Sequence, residues 1–155
     1  MSIKILDISD IEYHKNGKVS DFSGIEHGVL DKELVCLYWD GRHVKRIIVP
    51  VGFETDFGSI PKMFHWLVKP VGKSERGYVV HDWLSVADMK DDRKKADIIM
   101  REALIYCGVA KWEAWLAYSA VRLFNPLYEK FFRKKRNRND LLISLNSKLI
   151  DKFFA

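Results

Sequence analysis

Four side chains near the middle of the chain are of the types that move protons or hold cations: His81, Asp82, Asp97 and Asp56. His81 and Asp97 each stand eight residues from Met89. With helices on both sides of a short Asp-Met-Lys connection, positions equidistant from the turn share a height, about 12 Å from it at 1.5 Å per residue. A carboxylate facing an imidazole across such a hairpin fixes its tautomer. It also stabilises the imidazolium once the other ring nitrogen takes a proton from water or a hydroxyl. In that reading His81 is a general base and Asp97 its orienter. Asp82 is turned about 100° around the helix from His81, towards either a cation or the loop from Thr55 to Pro61, where Asp56 offers a further oxygen ligand. The same residues equally make a plain hydrogen-bonded tie between helices, because buried polar groups are normally paired. On sequence alone both readings stand.

The elements that must position these residues are legible in part. Residues 1 to 30 mix polar and apolar positions and are broken by Gly17, Gly24 and Gly28, which predicts short strands and loops. Glu33 to Trp39 is rich in strand formers, Asp40-Gly41 suits a two-residue hairpin turn, and Arg42 to Val49 makes the return strand. Pro50 ends the ladder. Gly52, Gly58, Pro61, Pro70 and Gly72 then punctuate an irregular stretch with a short helical turn over 63–68.

Ser74 caps a helix reaching about Asp88, and Asp91 or Asp92 caps a second that runs to Cys107 with Gly108 as its stop. Ala96, Ile99, Ala103 and Tyr106 recur at helical spacing on the second. On a third, from Ala110 to Phe124, Trp112, Trp115, Leu116 and Leu123 form a broad apolar face. Asn125-Pro126 marks a break, and Leu142, Leu145, Leu149 and Phe153 a final amphipathic helix. The expected architecture is α+β: an antiparallel β-hairpin or small sheet packed against an antiparallel helical hairpin and a third helix, with a C-terminal helical extension. Residues 1–128 form a single domain in this reading, and 129–155 a basic segment with the C-terminal helix.

At 155 residues the chain has the usual size of one domain, and a composition 48% hydrophobic and 30% charged excludes the disordered and fibrous classes. Ala114 to Val121, the longest uncharged apolar run, is far short of the roughly 20 residues that span a bilayer. Acids within the first ten residues and the lack of an apolar stretch argue against a secretory signal, so the expected place is a cytoplasm. Cys36 and Cys107 form neither a metal pair nor a disulfide framework and read as packing residues.

The net charge of +5 is local: without Lys130, Arg133, Lys134, Lys135, Arg136 and Arg138, 20 basic residues face 21 acidic ones. Beside Phe131 and Phe132, this patch suits contact with nucleic-acid phosphates or an anionic membrane, or is a solvated linker. His14, His27 and His43 have no acidic partner at ligand spacing and read as surface or strand positions, while His65 follows the punctuated loop. Asp88, Asp91 and Asp92 read as turn and capping residues. With neither a phosphate-cradling glycine loop nor a Gly-x-Ser-x-Gly elbow, nucleotide, redox-cofactor and serine-hydrolase chemistry are not indicated.

Taken in order, Val49 to Pro61, Val80-His81-Asp82-Trp83-Leu84, Lys95-Ala96-Asp97, Trp112 to Tyr118 and Val121-Arg122-Leu123 resemble a phage and prophage family known only as a domain of unknown function. That resemblance covers roughly residues 33 to 124 and implies a bacteriophage origin. Separately, His81-Asp82 followed one helix later by Ala96-Asp97 resembles the helix pair of secreted histidine-aspartate phospholipases. This second resemblance implies that His81 activates water, Asp82 binds calcium and Asp97 orients His81; the disulfides of those enzymes have no counterpart here, nor has their glycine-rich calcium loop unless the segment from Thr55 to Pro61 takes its place. The expected function is accordingly a phage-encoded hydrolase of an ester or phosphoester, assisted by calcium or another divalent cation at Asp82 and Asp56. The alternative is a non-catalytic phage protein, a virion or tail-assembly component or an inhibitor, that binds a host or virion partner through Trp66, Trp83, Trp112 or Trp115.

Overall fold

The computed structural model describes residues 2–19, 24–57, 65, 72–88 and 92–131. Along them run six strands, β1 Lys4–Ile8, β2 Tyr13–Val19, β3 Glu26–Leu30, β4 Leu34–Trp39, β5 Val44–Val49 and β6 Glu54–Thr55. Three helices follow, α1 Glu75–Trp83, α2 Arg93–Tyr106 and α3 Lys111–Phe131. The fold is α+β, with two antiparallel three-stranded sheets in the orders β1-β4-β5 and β2-β3-β6.

In the first sheet the alternation of β4 sends Leu34, Cys36 and Tyr38 inward, where they meet Ile5, Ile8, Ile47 and Val49. Val79, Val80 and Trp83 of α1 and Ala96, Ile99 and Ala103 of α2 complete that core. Pairing of Trp39 with Val44 leaves a four-residue β4–β5 connection in place of the expected two-residue turn. The Asp40 carboxylate causes this: it accepts the backbone N–H groups of Arg42 and His43 at 2.9 and 2.8 Å and draws both residues out of the ladder. Those bonds, with Lys45 nearby, hold the Asp40 carboxyl well below the usual carboxylate range. The second sheet joins Gly28 to Thr55 and Val29 to Glu54, which brings the two residues of β6 under α1.

The helix signals hold locally. Asp92 caps α2 by accepting from the Lys95 N–H at 3.2 Å, and Gly108, with φ of 95°, follows its end. Ser74 stands at the N-cap of α1 without a side-chain capping bond, and beyond Trp83 the winding continues as a π-helical turn from Leu84 to Asp88. Contrary to the expected break at Asn125-Pro126, α3 continues to Phe131. Proline removes one ladder donor, the bond its N–H would make to the carbonyl of Arg122, and a helix of 21 residues keeps the rest.

The buried face of α3 also differs from expectation. Ala114, Ala117 and Val121 pack on Tyr78, Met100 and Leu104, whereas Trp112, Trp115 and Leu123 are 61%, 51% and 60% exposed. Small side chains let the α3 backbone approach α2, and bulky indoles on that face would hold it away. Tyr106 of α2 likewise stays exposed, its hydroxyl donating to Asp7 at 3.1 Å.

Close approach recurs at two glycines. A Cβ on Gly77 would lie 2.7 Å from Leu104 Cδ2, where α1 touches α2. A Cβ on Gly28 would lie 2.8 Å from Phe57 Cζ and 2.9 Å from Tyr13 Cδ2, two rings that pack on each other at 5.0 Å. Gly28→Ala therefore forces rigid rings apart and is expected to cost about 1–3 kcal/mol. A lowered urea midpoint checks this, and an unchanged one refutes it.

Candidate functional site

The site is assembled from β6, α1, α2 and α3. Thr55 donates its hydroxyl to Asp82 Oδ2 at 2.5 Å and accepts the Phe57 N–H at 3.1 Å, so one side chain both ties the strand to α1 and turns the chain out of the sheet. Phe57 adopts the left-handed conformation, with φ of 54°. A non-glycine residue there costs about 1–3 kcal/mol and persists where its surroundings over-determine it, as at functional sites. Here the Phe57 ring is locked beneath Gly28 and beside Tyr13.

α1 is buried from Gly77 through Trp83, so His81 and Asp82 both point into protein, and Asp82 faces the Thr55 loop. Across the helical hairpin His81 Nε2 lies 2.6 Å from Asp97 Oδ1. His81 is 1% and Asp97 3% exposed. The second Asp97 oxygen accepts from Arg122 Nη1 of α3 at 3.2 Å. With Asp97 ionised, Nε2 carries the imidazole proton and the dyad leaves proton acceptance to Nδ1. The arrangement can thus orient a base and stabilise its protonated form.

Arg122 is the member of this cluster that spacing does not reveal, because it depends on how α3 lies over α2. Asp56 is buried one residue beyond Thr55. Among the described residues no group of three or more His, Cys, Asp and Glu is placed to hold a metal ion.

A second histidine–carboxylate pair lies in the β2-β3-β6 sheet: His27 is a strand position, as expected, and its acidic partner, 27 residues away, is one that ligand spacing does not reveal. His27 Nδ1 is 3.1 Å from Glu54 Oε1, which also accepts from Asn16 Nδ2 at 2.7 Å, with Lys18 Nζ 3.8 Å from Oε2. His14 also has a partner, Asp31 Oδ1 at 2.7 Å, on the surface. The pairing of Val29 with Glu54 brings His27 and Glu54 together, and a two-residue strand leaves no periodicity by which to foresee it. Both cysteines fit the packing role: burial pushes the Cys36 thiol up to about 12 and raises that of Cys107, which keeps both protonated at neutral pH.

Of the four tryptophans offered as exposed anchors, Trp112 and Trp115 are exposed, while Trp83 is buried edge-on against Phe53 at 5.3 Å. Trp66, the stretch 63–68 expected as a helical turn apart from His65, the basic residues Arg133, Lys134, Lys135, Arg136 and Arg138, and the residues expected to form a final helix lie outside the described residues. Lys130 belongs to the last turn of α3. No described helix is long and apolar enough to cross a membrane.

Residues 30–121, more than half of the chain, match the family described as "Protein of unknown function (DUF1353)". The chain belongs to this family. No curated protein and no solved structure matches it. The DUF1353 match includes Thr55, Asp56, His81, Asp82 and Asp97, whereas His27 precedes it and Arg122 stands one residue beyond its end. Thr55→Val keeps the shape of the side chain and removes the hydroxyl that serves the buried Asp82 carboxylate. The expected loss is about 1–3 kcal/mol, read as a lower melting temperature, with Thr55→Ser close to wild type. Equal melting of all three proteins would remove this bond as a determinant of the site.

Proposed function

We propose that this DUF1353 protein is a hydrolase in which His81 is the general base and Asp97 its orienter. The observation that carries this reading is the buried 2.6 Å contact between His81 Nε2 and Asp97 Oδ1. Nδ1 takes a proton from water as the water oxygen bonds to the carbonyl carbon of an ester or the phosphorus of a phosphoester. Asp97 stabilises the imidazolium, and the imidazolium returns its proton to the departing alkoxide. Arg122 positions Asp97 from its far side. The motif resemblance suggests a phage or prophage source, and an ester or phosphoester of the host envelope is the proposed substrate.

Calcium or another divalent cation at Asp82 and Asp56 is implied by the phospholipase resemblance, but these two residues do not by themselves fit it. Asp82 Oδ2 already accepts the Thr55 hydroxyl, and the two carboxylates fall short of the six to eight oxygens, waters included, that calcium takes. No step above is routed through a cation. Millimolar calcium, magnesium, manganese or zinc is expected to leave the melting temperature unchanged. A rise that Asp82→Asn abolishes would restore the cation, since a ligand bound only by the native state stabilises it.

A second reading is favoured by the depth of the pair: His81, Asp97 and Arg122 are a tie among three helices, and the protein acts by binding a host or virion partner. Kinetics on p-nitrophenyl acyl esters and bis-p-nitrophenyl phosphate separate the two. If His81 is the base, His81→Gln lowers kcat about 10²–10⁴-fold, and Asp97→Asn lowers it while leaving KM near wild type. Turnover retained in a folded His81→Gln protein, or a wild-type protein without turnover and variants that change only the melting temperature, would decide for the tie.

A further inference from the structure

An antiparallel sheet with one face on a core and the other in water alternates apolar and polar residues. The β1-β4-β5 sheet departs from this. Its central strand, β4, reads Leu-Val-Cys-Leu-Tyr-Trp, apolar or aromatic throughout, the pattern of a strand covered on both faces. Leu34, Cys36 and Tyr38 fill the inner face, so Val35, Leu37 and Trp39 lie on the outer one. Residues paired across strands share a face, which adds Ile48, Arg46 and Val44 of β5 and Lys4 of β1. Trp39 and Val44 are exposed, and Val35, Leu37 and Ile48 are half-buried. α1 and α2 pack on the inner face.

The free charge on this face has one sign. Lys4 and Arg46 stand on it, Arg42 lies in the connection between Trp39 and Val44, and all three are exposed. Asp40, the carboxylate of that connection, is engaged by Lys45 at 3.3 Å and by two backbone N–H groups. Among the described residues no carboxylate pairs with Lys4, Arg42 or Arg46. An apolar centre holding Trp and Arg inside a charged margin is the make-up of a protein-binding surface. A second copy would set like charges against one another. Nucleic acid would find one ring to stack on, Trp39. A bilayer takes apolar groups inserted about 5–10 Å deep, whereas Val35, Leu37 and Ile48 are half-buried in the plane of the sheet.

We propose that the outer face of the β1-β4-β5 sheet docks a protein partner that meets it with apolar side chains flanked by carboxylates. Leu37 and Trp39 of the central strand are the apolar seat. Arg46 and Lys4, on the strands to either side, take the carboxylates, the guanidinium of Arg46 in a bidentate pair. Because the helices lie on the opposite face, docking leaves the His81–Asp97 dyad as it is, and the proposal stands whether or not His81 is a base.

Selection of short random peptides from a displayed library on the full-length protein tests it. The expected binders combine Asp or Glu with large apolar residues and bind more weakly as salt is raised. Their affinity is expected to fall at least about tenfold for Arg46→Glu and for Val44→Asp. Both positions are exposed, so both variants are expected to keep the wild-type circular dichroism. Replacing the carboxylates of a selected peptide by Lys is expected to restore binding to Arg46→Glu, a reversal that a loss of fold could not produce. Binders without carboxylates, binders that both variants hold as tightly as wild type, or a selection that yields none would overturn the proposal. A dimer in light scattering that Val44→Asp makes monomeric would assign the face to a second copy. Binding of oligothymidylate or of phosphatidylglycerol vesicles that Arg46→Glu abolishes would assign it to nucleic acid or lipid, and each of these outcomes overturns the proposal as well.

Discussion

A buried carboxylate sits where the three helices meet. Asp97 of α2 accepts from His81 of α1 on one oxygen and from Arg122 of α3 on the other. An unpaired charge at that depth is strongly unfavourable, and removing the buried partner of such a pair, here His81, typically costs about 3–5 kcal/mol, whereas the half-exposed Arg122 is screened by water. α1 and α2 are therefore confined to registers in which His81 reaches Asp97, with Arg122 of α3 meeting the second oxygen. The packing around them serves the same end: Gly77 lets α1 close on Leu104 of α2, and Ala114, Ala117 and Val121 let α3 come near enough for Arg122 to span the gap. Apolar burial supplies most of the stabilisation here, while the ionic cluster selects one helix arrangement among several of similar apolar content.

β6 performs the corresponding task for the sheet. Successive strand side chains point to opposite faces, so Glu54 and Thr55 engage different partners. Glu54 binds His27 and Asn16 within the sheet, and Thr55 binds Asp82 of α1. β6 thus closes its own sheet through Glu54 and ties that sheet to α1 through Thr55. The left-handed Phe57 ends the strand immediately afterwards and fills the space that Gly28 leaves open. Without Gly28 the Phe57 ring would have to move, and the Thr55 hydroxyl, bonded to the Phe57 N–H, would move with it.

What could be read from the sequence was what depends on nearby residues. The facing of His81 and Asp97 follows from their equal distance in sequence from Met89, the start of α2 from Asp92, and its end from Gly108. The bond between Asp82 and the Thr55 loop was among the alternatives that helix geometry allowed. Contacts set by the docking of distant elements left no local trace, and Arg122 on Asp97 and Glu54 beside His27 are of that kind. The α3 face misled for a different reason. Hydrophobic content marks both of its sides, and close helix contact selects the small residues for the interior, leaving the indoles outside. At the β4–β5 connection, Asp40 suited a tight turn by type, yet its carboxylate captured two backbone donors and lengthened the loop.

Arg122 and Leu123 are consecutive, which links the inner and outer sides of α3. The Arg122 side chain is 42% exposed, so water screens its interaction with Asp97 and the pair contributes little as it stands. Arg122 also falls on the same arc as Trp115, at the margin of the outward face, seven residues or nearly two turns further along. Arg122 therefore reaches Asp97 from the water-exposed margin of α3, whereas His81 meets the same carboxylate from within the protein, so the hold on Asp97 is set mainly from the buried side.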